Sequence, residues 1–423
     1  MLRGFAVLYA RAVIDRSILQ APGLTDAERA RRALAVELAE AALAAVEPER
    51  ATRAALARLE ARGVPLSGAT VFAFGKASVG MARAALAACA PRGGIVVAPG
   101  PAALPPLEVR VGGHPTPAPD AIETGDRVLA LARSLGPGDV ALCLISGGGS
   151  SMLERPRDSI ALETVQRITR ALLAGGADIG ASNTVRRALS AVKGGRLAAA
   201  IAPARVVNVI LSDVPGAPLD VVASGPTLPP RGGDEDAAEI LARHGLSIGL
   251  PPAEPLVRRS IETTIESEVA ADSETARAAV RAAAEARGLS LTDRQGRFDG
   301  EARALGARLA REPASAWVWG GETTVTLGGG PIGRGGRNQE LALAAIEAGL
   351  DDGVLLALAT DGVDGASQNA GGLADAAAAR ALAGRDLVSA LERHDASPLL
   401  EAASAALHTG PTGTNVADLL IRV

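Results

Sequence analysis

Apolar residues follow two rhythms along this chain. Through residues 25–62, Ala, Leu and Val recur every three or four positions among Arg and Glu, which predicts helix, closed by Gly63-Val64-Pro65. Short continuous apolar runs then take over: "ATVFAF", "GGIVVAPG", "GDVALCLIS" and "ARVVNVILS", with helices predicted at 119–135 and 162–173 between them. Unbroken apolar strands alternating with helices predict a parallel sheet covered on both faces. Prolines at 229–230 and 251–255 interrupt the alternation and place a domain boundary near residue 260. The predicted domains are 1–260, with a helical N-terminal extension, and 261–423. The second opens with a helix at 273–287. Strands follow in "SLT", "AWVWGG", "TTVTLGG", "GVLLALATDG" and "DLLIRV", with helices at 338–348 and 374–382. "TTVTL" alternates directly after a strand, which predicts a hairpin and hence a mixed sheet. The apolar run at 5–10 is too short for a signal h-region and reads as helix. No run approaches the roughly 18 residues of a membrane span.

Length and composition narrow the class. A chain of 423 residues exceeds what one core usually supports, and 48% apolar content fills two. Aromatic residues make up 2% and the formal net charge is −4, which excludes base-stacking platforms and a phosphate-coating surface, so no nucleic-acid partner is expected. Cys89 and Cys143 sit in apolar surroundings without ligand spacing and read as reduced core residues of a cytoplasmic protein.

In open α/β sheets ligands bind beyond the carboxyl ends of strands, and the unusual residues gather there. Ser146-Gly147-Gly148-Gly149-Ser150-Ser151 offers bare N–H groups and hydroxyls to an oxyanion, or forms a tight turn. In "FGKAS", Lys76 stands at a helix start, where a point charge meets phosphate or carboxylate. This is no Walker A loop, because Thr70 and Ala77 occupy the places of its first glycine and its Ser/Thr. In "ASNTVRRALSAVKGGRLA", Asn183 is a plausible helix cap. Arg186 and Lys193 share a predicted face, either touching substrate or phosphate or forming an exposed basic stripe. Asp213 in "LSDVPG" and Asp361 and Asp364 in "ATDGVDG" stand at strand ends, where carboxylates hold Mg²⁺ or simply make turns.

The loop "WGGETTVTLGGGPIGRGGRNQE" carries Glu322 after a strand and Arg337 before a helix that Asn338 could cap. The guanidinium fork and the first helical N–H groups would then face one anion. Its GxGxxG at 328–333 contains a proline and leads to no βαβ acid, so it is not a dinucleotide fingerprint. Four scattered histidines make no zinc set, and acyl transfer through Ser150 or Ser151 would have only His114 as an early base. Cations, oxyanion loops and strand-end carboxylates together suit phosphoryl transfer.

Those segments, with "GGHPTP", "VVASGPT" and "HTGPTGTNVADLLIRV", occur in the order found in the glycerate 2-kinases of MOFRL-domain type, some of which are labelled hydroxypyruvate reductases. The chain resembles that family from about residue 35 to 423. The resemblance implies a Rossmann-like parallel-sheet N-terminal domain, a smaller mixed-sheet α/β C-terminal domain and an active site in the cleft between them. It also implies ATP- and Mg²⁺-dependent phosphorylation of D-glycerate to 2-phosphoglycerate by a monomer or homodimer, with Lys76 and Arg337 as the functional cations. Two alternatives are an NAD(P)H-dependent hydroxypyruvate reductase, which would need a nucleotide fingerprint, and a non-catalytic sensor of sugar acids or nucleotides. The chain departs from the family pattern in its first 30 or so residues, at "EVAADSETAR", and at "DGVDGASQNAGG", where Gln368 or Asn369 replaces an aspartate.

Overall fold

The computed structural model describes residues 13–230, 236–246, 263–328, 330–350 and 352–423. The apolar run at 5–10 and the proline cluster at 251–255 lie outside them. The chain forms two compact units, Pro48–Ala270 and Met1–Glu47 with Ala271–Val423.

The Pro48–Ala270 unit is a sheet of β1 (Thr70–Phe74), β2 (Gly93–Ala98), β3 (Leu107–Val111), β4 (Val140–Ser146), β5 (Arg205–Leu211) and β6 (Ile265–Ala271). They stand in the order β3-β2-β1-β4-β5-β6, with β3 through β5 paired in parallel. This is the strand order of a doubly wound Rossmann-type sheet. The four unbroken apolar runs of the sequence are β1, β2, β4 and β5, buried along most of their length. Phe72, Phe74, Cys143, Ile145, Val206 and Ile210 pack one core from one face of the sheet. β3, an edge strand with half-exposed residues, gave no comparable apolar run and was not anticipated. Both cysteines are free and buried; burial pushes the Cys89 thiol up to about 11 and Cys143 higher still.

The other unit holds β7 (Thr292–Asp293), β8 (Trp317–Gly321), β9 (Leu355–Ala359), β10 (Gly371–Ala374), β11 (Ala406–Leu407) and β12 (Asp418–Arg422), ordered β11-β10-β9-β12-β8-β7. The sheet is mixed, but not through the predicted hairpin. "TTVTL" forms no strand; Thr324 makes one isolated parallel bridge to Glu301, and both Thr324 and Thr326 donate to the Glu301 carboxylate. The mixture arises because β12 inserts antiparallel between β8 and β9. The carboxyl ends of β8 and β9 and the amino end of β12 therefore share one edge, with Asp418 opposite both Gly321 and Ala359. Trp317, Leu341, Leu343, Leu355 and Leu420 fill the core.

The single helix predicted over 25–62 is two, Asp26–Ala45 and Pro48–Ala61. Proline disfavours helical geometry in the residue before it, and the division between units falls at this break. The first helix starts with a Thr25–Glu28 capping box and groups with the second unit, although the sequence reading attached it to the first domain. Its Arg32, fully buried, makes a two-pronged ion pair with Asp375 at 2.7 and 2.9 Å and also donates to Ile18 O and Ser404 O. No helix among the described residues is long and apolar enough to cross a membrane.

Candidate active site

The chain leaves β1 toward β2 on one side and β4 toward β5 on the other, so the topological switch point lies between β1 and β4. Two glycine loops meet there. Lys76 N–H donates to Gly147 O at 2.8 Å and Ala77 N–H to Ser146 Oγ at 3.1 Å. The Asp213 carboxylate lies directly against Gly147, where a Cβ would overlap it. Gly148 has φ +79°, and a Cβ on it would stand 3.1 Å from Lys76 Cγ and 3.2 Å from His114 Cδ2. Lys76, His114 and Asp213 thus converge on the Gly147-Gly148 turn. The N–H groups of Gly148 and Gly149 meet no acceptor among the described residues. Gly149 opens a short helix, Gly149–Met152, whose first N–H groups lack partners by geometry.

The serines serve this loop differently from expectation. Ser146 is 1% exposed and turned inward, accepting from Ala77 and donating to Phe74 O, so it ties the strand ends together. Ser150 Oγ lies 2.9 Å from Ser224 Oγ, and Ser224 Oγ donates to Asn183 Oδ1 at 2.7 Å. Ser224 has one proton, spent on Asn183, so Ser150 donates to Ser224 and offers only lone pairs outward. Asn183 is not a cap. Asp178 caps the Ile179–Leu189 helix, while Asn183 sits buried within it and also donates to Val221 O at 3.0 Å.

Arg186 and Lys193 do not share a helical face, because the helix ends at Leu189. Lys193 is fully buried, donating to Glu154 Oε2 at 2.6 Å and Leu153 O at 3.0 Å. Burial pulls its pKa down and Glu154 opposes the shift. Lys193 is a structural cation beneath the glycine loop. Arg186 is also pulled down by burial, with Glu154 again opposing, yet it donates no hydrogen bond among the described residues. Two cations, Arg186 and Lys193, thus share the single carboxylate of Glu154. A largely desolvated guanidinium with open donors is prepared for an anion.

In the second unit, Arg337 begins the Arg337–Glu347 helix. The expected capping by Asn338 does not occur. Asp364 does that work, accepting from Asn338 N–H at 3.1 Å and Gln339 N–H at 2.8 Å, so those N–H groups are not open to a ligand. Gly336 permits it: a Cβ there would overlap Asp364. The bare backbone before this helix therefore serves close packing. Arg337 is gripped by Asp418, Nε to Oδ2 at 2.5 Å and Nη2 to Oδ1 at 3.0 Å, while Nη1 donates to Glu322 at 2.5 Å. Burial works against its charge, but Asp418 and Glu322 hold its pKa above the ordinary arginine value. Burial raises Asp418 to about 7, against Arg337, with Glu322 and Asp364 adding to the rise. Nearby, Thr323 Oγ1, Asn338 Oδ1 and Thr414 Oγ1 are buried without a hydrogen-bond partner among the described residues.

Asp361 makes a turn, its carboxylate accepting from Val363 N–H at 3.1 Å. Asn369, one of the two positions where the family pattern would place an aspartate, is buried; its amide donates to Gln339 Oε1 at 2.8 Å, Ser397 Oγ and Glu401 Oε1. An aspartate could donate none of these bonds, so the position is structural here. Asp418, Ser224 and the cap role of Asp364 were missed from sequence. An acid opening the apolar stretch Leu419-Leu420-Ile421 of "DLLIRV" was the one available signal.

The chain thus joins a doubly wound α/β unit with a cationic switch-point loop to a mixed-sheet unit with a clamped arginine. Residues 34–258 match the family described as "Domain of unknown function (DUF4147)" and residues 315–418 the MOFRL family. The chain is 37% identical over 414 residues to the D-glycerate 2-kinase of Thermotoga maritima, covering 92% of this chain and 97% of that one. The crystal structure of glycerate kinase from Thermotoga maritima aligns with TM-score 0.81 at 36% identity, across 94% of this chain and 99% of that chain. A putative hydroxypyruvate reductase of Agrobacterium vitis is 38% identical over 382 residues, 84% of this chain and 87% of its own length. The chain belongs to the glycerate kinase family that joins a DUF4147 domain to a MOFRL domain.

Proposed function

We propose that this protein transfers the γ-phosphoryl group of ATP to the 2-hydroxyl of D-glycerate, giving 2-phosphoglycerate, with Mg²⁺ as the metal. The observation that carries this reading is the convergence of Lys76, Asp213 and the open Gly148 and Gly149 N–H groups at the switch point of a doubly wound sheet. Phosphoryl transfer needs charge neutralisation and positioning more than covalent chemistry, and this set supplies both. In the proposal Lys76 and Arg337 neutralise phosphoryl oxygens, the Gly147–Gly149 backbone receives an oxyanion, and Arg186 holds the glycerate carboxylate.

Among the described residues no group of three or more metal-ligating side chains occurs. Mg²⁺ carried by nucleotide phosphates takes one or two protein carboxylates and keeps its waters. Asp213, half-exposed on the Gly147 turn, is the carboxylate that would hold it, with Asp361 second. The ion would supply charge neutralisation to the transferring phosphate. The reductase reading has less support. Where a dinucleotide fingerprint after β1 needs its second glycine, Ala77 stands 2% exposed with its N–H on Ser146. Release of ADP from ATP on adding D-glycerate, with no oxidation of NADH by hydroxypyruvate, tests the choice. Turnover should fall about 10³-fold in Arg337→Ala; near-normal turnover there removes Arg337 from the reaction.

A further inference from the structure

The guanidinium of Arg337 has five N–H donors in a fixed plane. Three are spoken for: Nε and one of Nη2 by Asp418, and one of Nη1 by Glu322. Two donors, one on each terminal nitrogen, remain without an acceptor among the described residues. Asp418 and Glu322 differ in kind. The Asp418 side chain is 1% exposed and belongs to β12, whose Asp418 is registered against Gly321 of β8 and Ala359 of β9. It cannot move without moving the sheet. The Glu322 side chain is 50% exposed on a loop and can leave.

The geometry points to Asp418 as the positioning residue of the reaction. It takes the Nε–Nη2 edge of Arg337 in a two-toothed grip and so fixes the plane and roll of the fork, presenting the remaining donors to the phosphoryl group. Asp364 supports the same geometry by capping the helix on which Arg337 stands. Glu322 holds the outer donor until an anion replaces it. A phosphoryl oxygen can displace an exposed carboxylate, which recovers its own hydration, whereas displacing Asp418 would strand a buried charge. Three carboxylates, Asp418, Glu322 and Asp364, act on one arginine, so its position is set by opposed attractions rather than by packing alone. The inference rests on the proposed role of Arg337 in phosphoryl transfer.

A double-mutant cycle tests it, with ATP, Mg²⁺ and D-glycerate and unfolding midpoints measured alongside. Asp418→Asn keeps the shape but turns one acceptor into a donor facing a donor. It should lower kcat about 10²-fold, the scale of an ångström's misplacement, with KM for both substrates little changed. In the Arg337→Ala background the same substitution should cause no further loss, because Asp418 acts only through Arg337. Wild-type kcat in Asp418→Asn overturns the inference, and so do losses that multiply. Wild-type kcat in Arg337→Ala instead defeats the underlying reading of Arg337, a distinguishable result. Should Asp418→Asn not fold, Arg337→Lys keeps the charge without the fork and should also lose about 10²-fold in kcat; undiminished turnover there overturns the inference equally.

Discussion

Lys193 was a candidate for touching substrate, and its burial makes a different prediction that can be worked to a number. Lys193→Met removes a cation whose side chain is 0% exposed and leaves Glu154, 2% exposed, without its partner at 2.6 Å. Glu154 Oε1 already lacks a hydrogen bond among the described residues, so the carboxylate keeps only the electrostatic attraction of Arg186, without a hydrogen bond from it. Breaking one side of a buried ion pair costs about 3–5 kcal/mol. For a unit of this size a kilocalorie corresponds to about 2–4 °C of Tm, so the midpoint should drop by roughly 6–20 °C. The assay is thermal unfolding of the full chain followed by circular dichroism, with KM for glycerate measured below the transition. Replacing both partners, Lys193→Met with Glu154→Met, should recover most of the loss, since an apolar pair of similar volume is often neutral to stability. A wild-type midpoint in Lys193→Met together with a raised KM would mean that Lys193 reaches substrate, and the structural account of it would be wrong.

Arg186→Gln removes the open guanidinium, and a lost charged contact of about 2–5 kcal/mol should raise KM for D-glycerate at least thirtyfold while KM for ATP holds; the reverse pattern would assign Arg186 to nucleotide phosphate. As pH falls through about 7, Asp418 takes up a proton and surrenders one acceptor for Arg337, so turnover should decline on the acidic side. The acidic limb should vanish in Asp418→Asn; an identical limb in that variant refutes the assignment. Asp375→Asn breaks the buried pair with Arg32 and should cost about 3–5 kcal/mol in urea unfolding, whereas a change below about 1 kcal/mol would show the N-terminal helix to be dispensable. Chelation of divalent metal should abolish turnover and Mg²⁺ should restore it, and activity surviving chelation contradicts the metal assignment.

The sequence disclosed most where burial was total. Residues 70–74, 140–146 and 205–211 could be read directly as strands because both faces of the first sheet are covered. Edge strands such as Leu107–Val111 are half-exposed and carry no such signal. "TTVTL" shows the opposite failure: its alternation is real, but its threonines serve the Glu301 carboxylate rather than a ladder. Which residues gather at the strand ends was legible from position alone, and Lys76, Asp213 and the glycine loop do meet. What each group does there was not legible. Lys193 and Arg186 look alike in sequence, and only burial and partners separate a structural cation from an open one. Asp418 escaped notice because its partner, Arg337, lies 81 residues away. Long-range pairing of that kind leaves no local pattern.

The central claim, phosphorylation of glycerate at its secondary hydroxyl, is tested most directly by proton-coupled phosphorus NMR of a reaction of this protein with ATP, Mg²⁺ and D-glycerate. ADP should appear together with a phosphomonoester doublet, split by the one methine proton of 2-phosphoglycerate. A triplet, from the methylene of a 3-phosphate ester, would contradict the regiochemistry, and unchanged ATP would contradict the kinase itself.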